Sequence, residues 1–135
     1  MLSDALPYFG FAVPCTHTGL PFAQDLADHK GRRRLVINNG SAGLPSFTGT
    51  TFGVITRLSA NPQPPADSLY GTTLDGLRCD ALPLEFDLAS WLARFTAQWP
   101  EGSPASDRYL ERIRSGTQLR VHQAVRGTVT QTART

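Results

Sequence analysis

Residues 14–19, PCTHTG, follow directly on a short apolar run, YFGFAV, at residues 8–13. Further along, a second apolar run, RLVI at residues 34–37, is followed by NNGSAG at residues 38–43. Strands that end in a Cys-x-His turn and in an Asn-Asn-Gly-Ser turn place polar side chains together at the carboxyl edge of a sheet, where α/β proteins bind their ligands. Because histidine and cysteine both bind transition metals, this pair of turns is the first candidate for a functional site.

The composition fits one globular domain. The chain has 135 residues, of which 40% are hydrophobic, and its formal net charge of +2 is too small to indicate nucleic-acid binding by itself. Two cysteines, Cys15 and Cys79, are too few for a disulfide framework and indicate free thiols in a reducing compartment. No apolar stretch is long enough to span a membrane and no signal-peptide pattern is present, so we expect a cytoplasmic protein with no membrane association.

Four short runs rich in apolar residues predict strands: residues 8–13, 35–37, 52–58 and 77–86. Pro83 is expected to place the last of these at a sheet edge or at a bulge. If the Pro-rich loop at 61–65 is a long hairpin connection, the runs at 52–58 and 77–86 are antiparallel neighbours. Residues 20–29 hold few apolar positions and predict a short helix or an irregular excursion.

Two helices are predicted in the C-terminal half. Asp87 is a candidate N-cap for a helix that ends before Pro100. Its apolar positions recur with helical spacing and are expected to pack against the sheet as core: Leu88, Trp91, Leu92, Phe95 and Trp99. A second helix follows Ser106-Asp107 and ends at Gly116. Residues 117–135 are polar, contain arginines but no acids, and predict a poorly ordered basic tail or a peripheral strand.

The order of these motifs resembles the C-terminal portion of the calcineurin-like metallophosphoesterases. That family has a late Gly-His-x-His turn at a strand end, followed one strand later by an Asn-x-Gly-Ser turn. His17 matches the second histidine of the first turn, so the resemblance implies that it is a metal ligand. Cys15 stands where the first histidine is, and a thiolate in that place can bind zinc or iron. The second turn is matched by four residues, which the resemblance places on the phosphate side: Asn38, Asn39, Gly40 and Ser41.

What the resemblance implies for the fold is an α/β (α+β) domain over residues 1–116, the C-terminal half of a metallophosphoesterase-type β-sandwich with two C-terminal helices. The implied activity is hydrolysis of a phosphate ester by two divalent metals: manganese, iron or zinc. The family's earlier Asp-x-His, Gly-Asp-x-x-Asp and Gly-Asn-His motifs do not occur in this sequence. We therefore expect a truncated or incomplete copy that is inactive alone, because a dinuclear centre needs more ligands than one histidine and one cysteine.

Each motif also has a purely structural interpretation. His17 can be a hydrogen-bonded loop histidine, Cys15 a small, partly buried residue, and Gly40 a residue that the turn requires for its backbone angles. The competing function is a non-catalytic interaction module, in which an exposed sheet edge pairs with a second copy or with a missing N-terminal half. A basic nucleic-acid-binding domain ranks third, since the arginines at 32–34 are not interleaved with aromatic residues.

Overall fold

A computed structural model of the chain describes residues 12–132 and has a mixed α/β fold with two four-stranded sheets and two α-helices in that range. The strands are β1 Ala12–Cys15, β2 Pro21–Ala27, β3 Arg33–Asn39, β4 Gly53–Ser59, β5 Tyr70–Leu74, β6 Leu77–Leu84, β7 Val125–Arg126 and β8 Thr130–Gln131. The helices are α1 Leu88–Gln98 and α2 Pro104–Ser115, and a 3-10 turn covers Val121–Ala124. Within this range, no helix combines the length and the apolarity that crossing a membrane requires.

The first sheet has the strand order β1-β3-β2-β7. Strand β1 runs parallel to β3, with Cys15 in register with Asn38, so the two turns identified in the sequence leave the sheet at the same edge. The predicted strand at 8–13 lies mostly outside the described residues, and β1 continues past it to Cys15. The prediction of a helix or irregular excursion at 20–29 is wrong: β2 is a strand whose Pro21 and Ala23 alternate inward. These small buried residues gave a weak hydrophobic signal, although their spacing is the period of two that strands require.

The second sheet has the order β4-β6-β5-β8. As predicted, β4 and β6 are antiparallel neighbours. The expectation that Pro83 puts β6 at an edge is wrong, because β6 lies between β4 and β5. Pro83 is tolerated since the β5 pairing ends where Tyr70 meets Ala81, so the missing N–H faces no strand on that side. Strand β5 lies within the connection that was expected to be one long loop.

The two sheets enclose a common core, whose largest fully buried members include Tyr70, Phe47, Leu35 and Ile37. Residues 117–135 were predicted to be a polar tail, but the described part of this segment, residues 117–132, contributes side chains to the core. Ala124 is 0% and Val129 6% exposed, and strands β7 and β8 close one edge of each sheet. The peripheral-strand alternative therefore describes this part of the segment.

Helix α1 has the predicted N-cap but is not a core helix. The predicted start of the second helix after Ser106-Asp107 is wrong, because the N-cap of α2 is Ser103, whose hydroxyl accepts from the Ser106 N–H. The Asp87 carboxylate accepts a hydrogen bond from the Ser90 N–H at 2.9 Å. Phe95 is buried, whereas Trp91 and Trp99 are 38% and 41% exposed, so the assignment of both tryptophans to the core is wrong. The reason is that α1 packs against α2 rather than across a sheet, so only a narrow line of its apolar face is covered.

Helix α2 ends at a glycine that the fold requires. Gly116 has φ +75°, and a Cβ atom there would lie 2.1 Å from the carbonyl oxygen of Phe47. On either side of it, the Gly49 N–H donates to the Ser115 carbonyl at 3.2 Å and the Thr117 hydroxyl donates to the Ser46 carbonyl at 2.8 Å. These contacts attach α2 to the loop after β3 and so bring the helix to the edge where the two turns lie.

Candidate functional site

The turns after β1 and β3 are joined by the buried side chain of Asn38. Its Nδ2 donates to the Thr18 hydroxyl at 3.0 Å, and its Oδ1 accepts from the Gly40 N–H at 2.8 Å. Asn38 is only 1% exposed. It therefore holds the turns together from beneath, whereas its neighbours Asn39 and Ser41 are partly exposed.

A polar cleft with a volume of about 540 Å³ lies above the Asn38 side chain, between the two turns that it joins. We use the name polar cleft for the hollow lined by Thr16, His17, Thr18, Gly19, Asn39, Gly40, Ser41, Ala42, Leu44, Tyr109 and Arg112. Four of the six site residues predicted from the sequence meet in it: His17, Asn39, Gly40 and Ser41. His17 is exposed to solvent, so its imidazole is free to bind a ligand that enters the cleft.

Cys15 and Asn38 do not line the polar cleft. Cys15 is a half-buried free thiol on the last residue of β1. Among residues 12–132, no group of three His, Cys, Asp or Glu side chains is close enough to hold a metal ion. The donors that do line the cleft, one imidazole with amide and hydroxyl oxygens, fit one side of a metal site but not a closed dinuclear centre.

Arg112 is the residue of the polar cleft that the sequence did not indicate. It lies in the last turn of α2, where a basic residue is ordinarily explained by the helix dipole. Its Nη2 donates to the Gly19 carbonyl oxygen, and its Nε is buried with no hydrogen-bond partner in the described part of the chain. Burial lowers the pKa of Arg112, yet an arginine stays protonated at physiological pH, so the cleft has a partly desolvated cation on its wall.

A second hollow adjoins the polar cleft and is apolar. We call it the aromatic groove; its volume is about 410 Å³, and it is lined by Ser41, Gly43, Leu44, Trp91, Phe95, Trp99, Ala105, Tyr109 and Ile113. Ser41, Leu44 and Tyr109 line both hollows, so the two are continuous at Tyr109. None of the side chains of the groove is charged.

No known protein family, curated protein or solved structure is significantly similar to this chain.

Proposed function

We propose that the polar cleft is the phosphate side of a metal-dependent phosphoesterase site of the calcineurin-like metallophosphoesterase type. The observation that supports this best is that both turns carrying the resemblance, residues 16–19 and 39–42, line one cleft. The parallel register of β1 and β3 produces this arrangement, and it is the arrangement that the order of the motifs predicts. On this proposal, the two sheets are the C-terminal half of that family's β-sandwich.

The residues of the cleft have separable roles in this proposal. His17 would provide an imidazole ligand for a divalent manganese, iron or zinc ion, whereas Cys15, two residues earlier, lies outside the lining of the cleft. The Ser41 hydroxyl orients a phosphate oxygen, and Arg112 stabilises the negative charge of the phosphate. A divalent metal held by His17 would activate a water and would act as a Lewis acid on the phosphate oxygens.

A dinuclear centre needs more ligands than residues 12–132 bring together. The proposal therefore assigns to this part of the chain the late half of the site. Weak metal binding and no rapid turnover by these residues alone follow from it.

Manganese retention by purified protein tests the role of His17. His17→Ala is expected to lower the bound manganese that elemental analysis finds after desalting. His29→Ala is the matched control, since His29 is an exposed histidine in the turn after β2, away from the cleft. Equal metal content in wild type, His17→Ala and His29→Ala contradicts the ligand assignment.

A second candidate function is a protein-interaction module, and it is favoured by the side of β1 that pairs with no described strand. Within residues 12–132, β1 pairs only with β3 and forms one edge of its sheet. On β1, Val13 is 50% exposed. An edge strand that carries an exposed apolar side chain favours pairing with another strand, and we take a second copy of the chain as that partner.

A further inference from the structure

We propose that the ligand of this site is a phosphate ester of an aromatic or similarly apolar alcohol. Its phosphate binds Arg112 in the polar cleft, and its apolar group lies in the aromatic groove. This inference rests on the proposed function, because it names the substrate class of the same cleft.

Arg112 is the anion-binding group in this arrangement. It makes no salt bridge with any described residue, and its Nε is buried without a hydrogen-bond partner. Leaving such a donor unsatisfied is costly, and an anionic oxygen is the acceptor that a guanidinium binds best. Because Arg112 Nη2 is already bound to the Gly19 carbonyl, the guanidinium is held in place at the cleft before any ligand arrives.

The aromatic groove explains why three large aromatic side chains are exposed together. Trp91, Trp99 and Tyr109 are 38%, 41% and 45% exposed, and all three line the groove. Contiguous apolar surface of this kind usually marks a binding site. A volume of about 410 Å³ suits a small organic group. The rings of Phe95 and Trp91 pack edge to face, with ring centroids 6.2 Å apart. This contact holds the Trp91 ring in position, so this wall of the groove exists without a ligand.

The absence of charged side chains in the aromatic groove restricts the chemical class of the ligand further. Its lining contains no cationic side chain to bind a second phosphate, and Arg112 is the one cation on the wall of the polar cleft. A ligand with a single phosphate and an apolar group can place its phosphate beside Arg112 and its apolar group in the aromatic groove. A polyphosphate would instead leave an unpaired negative charge in the groove. Tyr109 lines both hollows and marks the point where the ester oxygen of the ligand lies.

Direct binding tests this without any need for turnover. The chain has two tryptophans, and both line the aromatic groove, so intrinsic fluorescence reports its occupation. In buffer with a chelator, phenyl phosphate is expected to quench this fluorescence and to bind about tenfold more tightly than inorganic phosphate, which is measured by competition. Phenol, which lacks the anion, is expected to bind more weakly than phenyl phosphate by a similar factor.

Variants separate the two halves of the ligand site. Arg112→Gln is expected to lower the affinity for phenyl phosphate about tenfold and to leave phenol binding unchanged. Arg112→Lys keeps the positive charge and is expected to lower the affinity for phenyl phosphate by a smaller factor. Arg114→Gln is the matched control, because Arg114 is an exposed arginine in the same helical turn and lies outside both hollows. Tyr109→Ala removes an exposed side chain and is expected to weaken phenyl phosphate binding but not phosphate binding.

Two results overturn the inference: phenyl phosphate that binds no more tightly than inorganic phosphate, or an Arg112→Gln variant, folded by circular dichroism, with unchanged affinity. If Arg112→Gln does not fold, Arg112→Lys and Tyr109→Ala decide the question. Manganese retention by His17→Ala is measured separately, so failure of the metal site and failure of this ligand site give different results.

Discussion

The side-chain amide of Asn38, at the end of β3, donates a hydrogen bond to the hydroxyl of Thr18, in the turn after β1, over 3.0 Å. The same side chain accepts a hydrogen bond from the Gly40 N–H and is 1% exposed. Asn38 was expected to face the phosphate, but its side chain is buried beneath the cleft, where it sets the distance between the two turns.

Replacing Asn38 by Ala is expected to destabilise the protein by about 2 kcal/mol, because it leaves the buried Gly40 N–H without an acceptor. Urea unfolding measures the change. Asn39→Ala removes the adjacent, half-buried amide and is expected to lower the free energy of unfolding by less than half as much as Asn38→Ala does. Equal losses for the two variants contradict the bracing role of Asn38.

The burial of α1 gives a second prediction, on two residues one turn apart. Phe95→Ala is expected to lower the free energy of unfolding by roughly 3–5 kcal/mol, because the ring is 7% exposed. Trp91→Ala, at a residue that is 38% exposed, is expected to cost only about 1–2 kcal/mol. Chemical unfolding of both variants checks the ranking, and a larger loss for Trp91 contradicts the position of α1.

Acid is expected to destabilise the protein through Asp25. Hydrogen bonds from the hydroxyl and N–H of Thr128, and then the guanidinium of Arg33, lower the pKa of Asp25 from its ordinary 3.8 to about 2. Since the folded-state pKa is the lower one, this contribution is complete above about pH 4 and is lost as the pH falls towards about 2.

The test is unfolding free energy measured as a function of pH. Asp25→Asn is expected to be less stable near neutral pH and to lose less stability than wild type as the pH falls through that range. Asp67→Asn, at an exposed aspartate on the loop before β5, is the control and should follow the wild-type curve.

Turnover is expected to be absent. With added manganese, the protein should hydrolyse bis-p-nitrophenyl phosphate no faster than buffer does, because the described residues supply only part of a dinuclear ligand set and such groups act as a unit. Release of p-nitrophenol measures this. Hydrolysis that requires manganese and disappears in His17→Ala contradicts the incomplete site and shows a working phosphoesterase.

Self-association through β1 is the test of the second candidate function. The protein is expected to form dimers at high concentration, and Val13→Lys should shift it towards monomer, because a charge on an edge strand opposes pairing. Light scattering across a dilution series measures the mass. Leu26→Lys, at a similarly exposed residue of β2, which lies between β3 and β7, is the control. A wild-type protein that stays monomeric at every concentration counts against the interaction module.

The sequence predicted those parts of the fold and site that depend on local patterns. Asp87, Gly116 and the strand at 53–59 have signals within a few residues, and the structure confirms them. The meeting of His17 with Ser41 was predicted because both follow apolar strands.

The missed features depend on distant parts of the chain. Arg112 joins the polar cleft because α2 is attached to the loop after β3, an attachment that no local spacing encodes. The exposure of Trp91 has the same origin, since periodicity shows that a helix has an apolar face but not what covers that face. Strand β2 was missed because its inward residues are small.

The segment from Val125 to Gln131 crosses from one sheet to the other: β7 completes the first and β8 the second. Its Thr128 N–H also donates to Asp25, a residue from the other end of the described chain. During translation these residues leave the ribosome after the other strands of residues 12–132, so neither sheet can be completed before they emerge. Contacts between such distant residues form slowly, and a nascent chain therefore exposes the edges of both sheets until β7 and β8 have emerged.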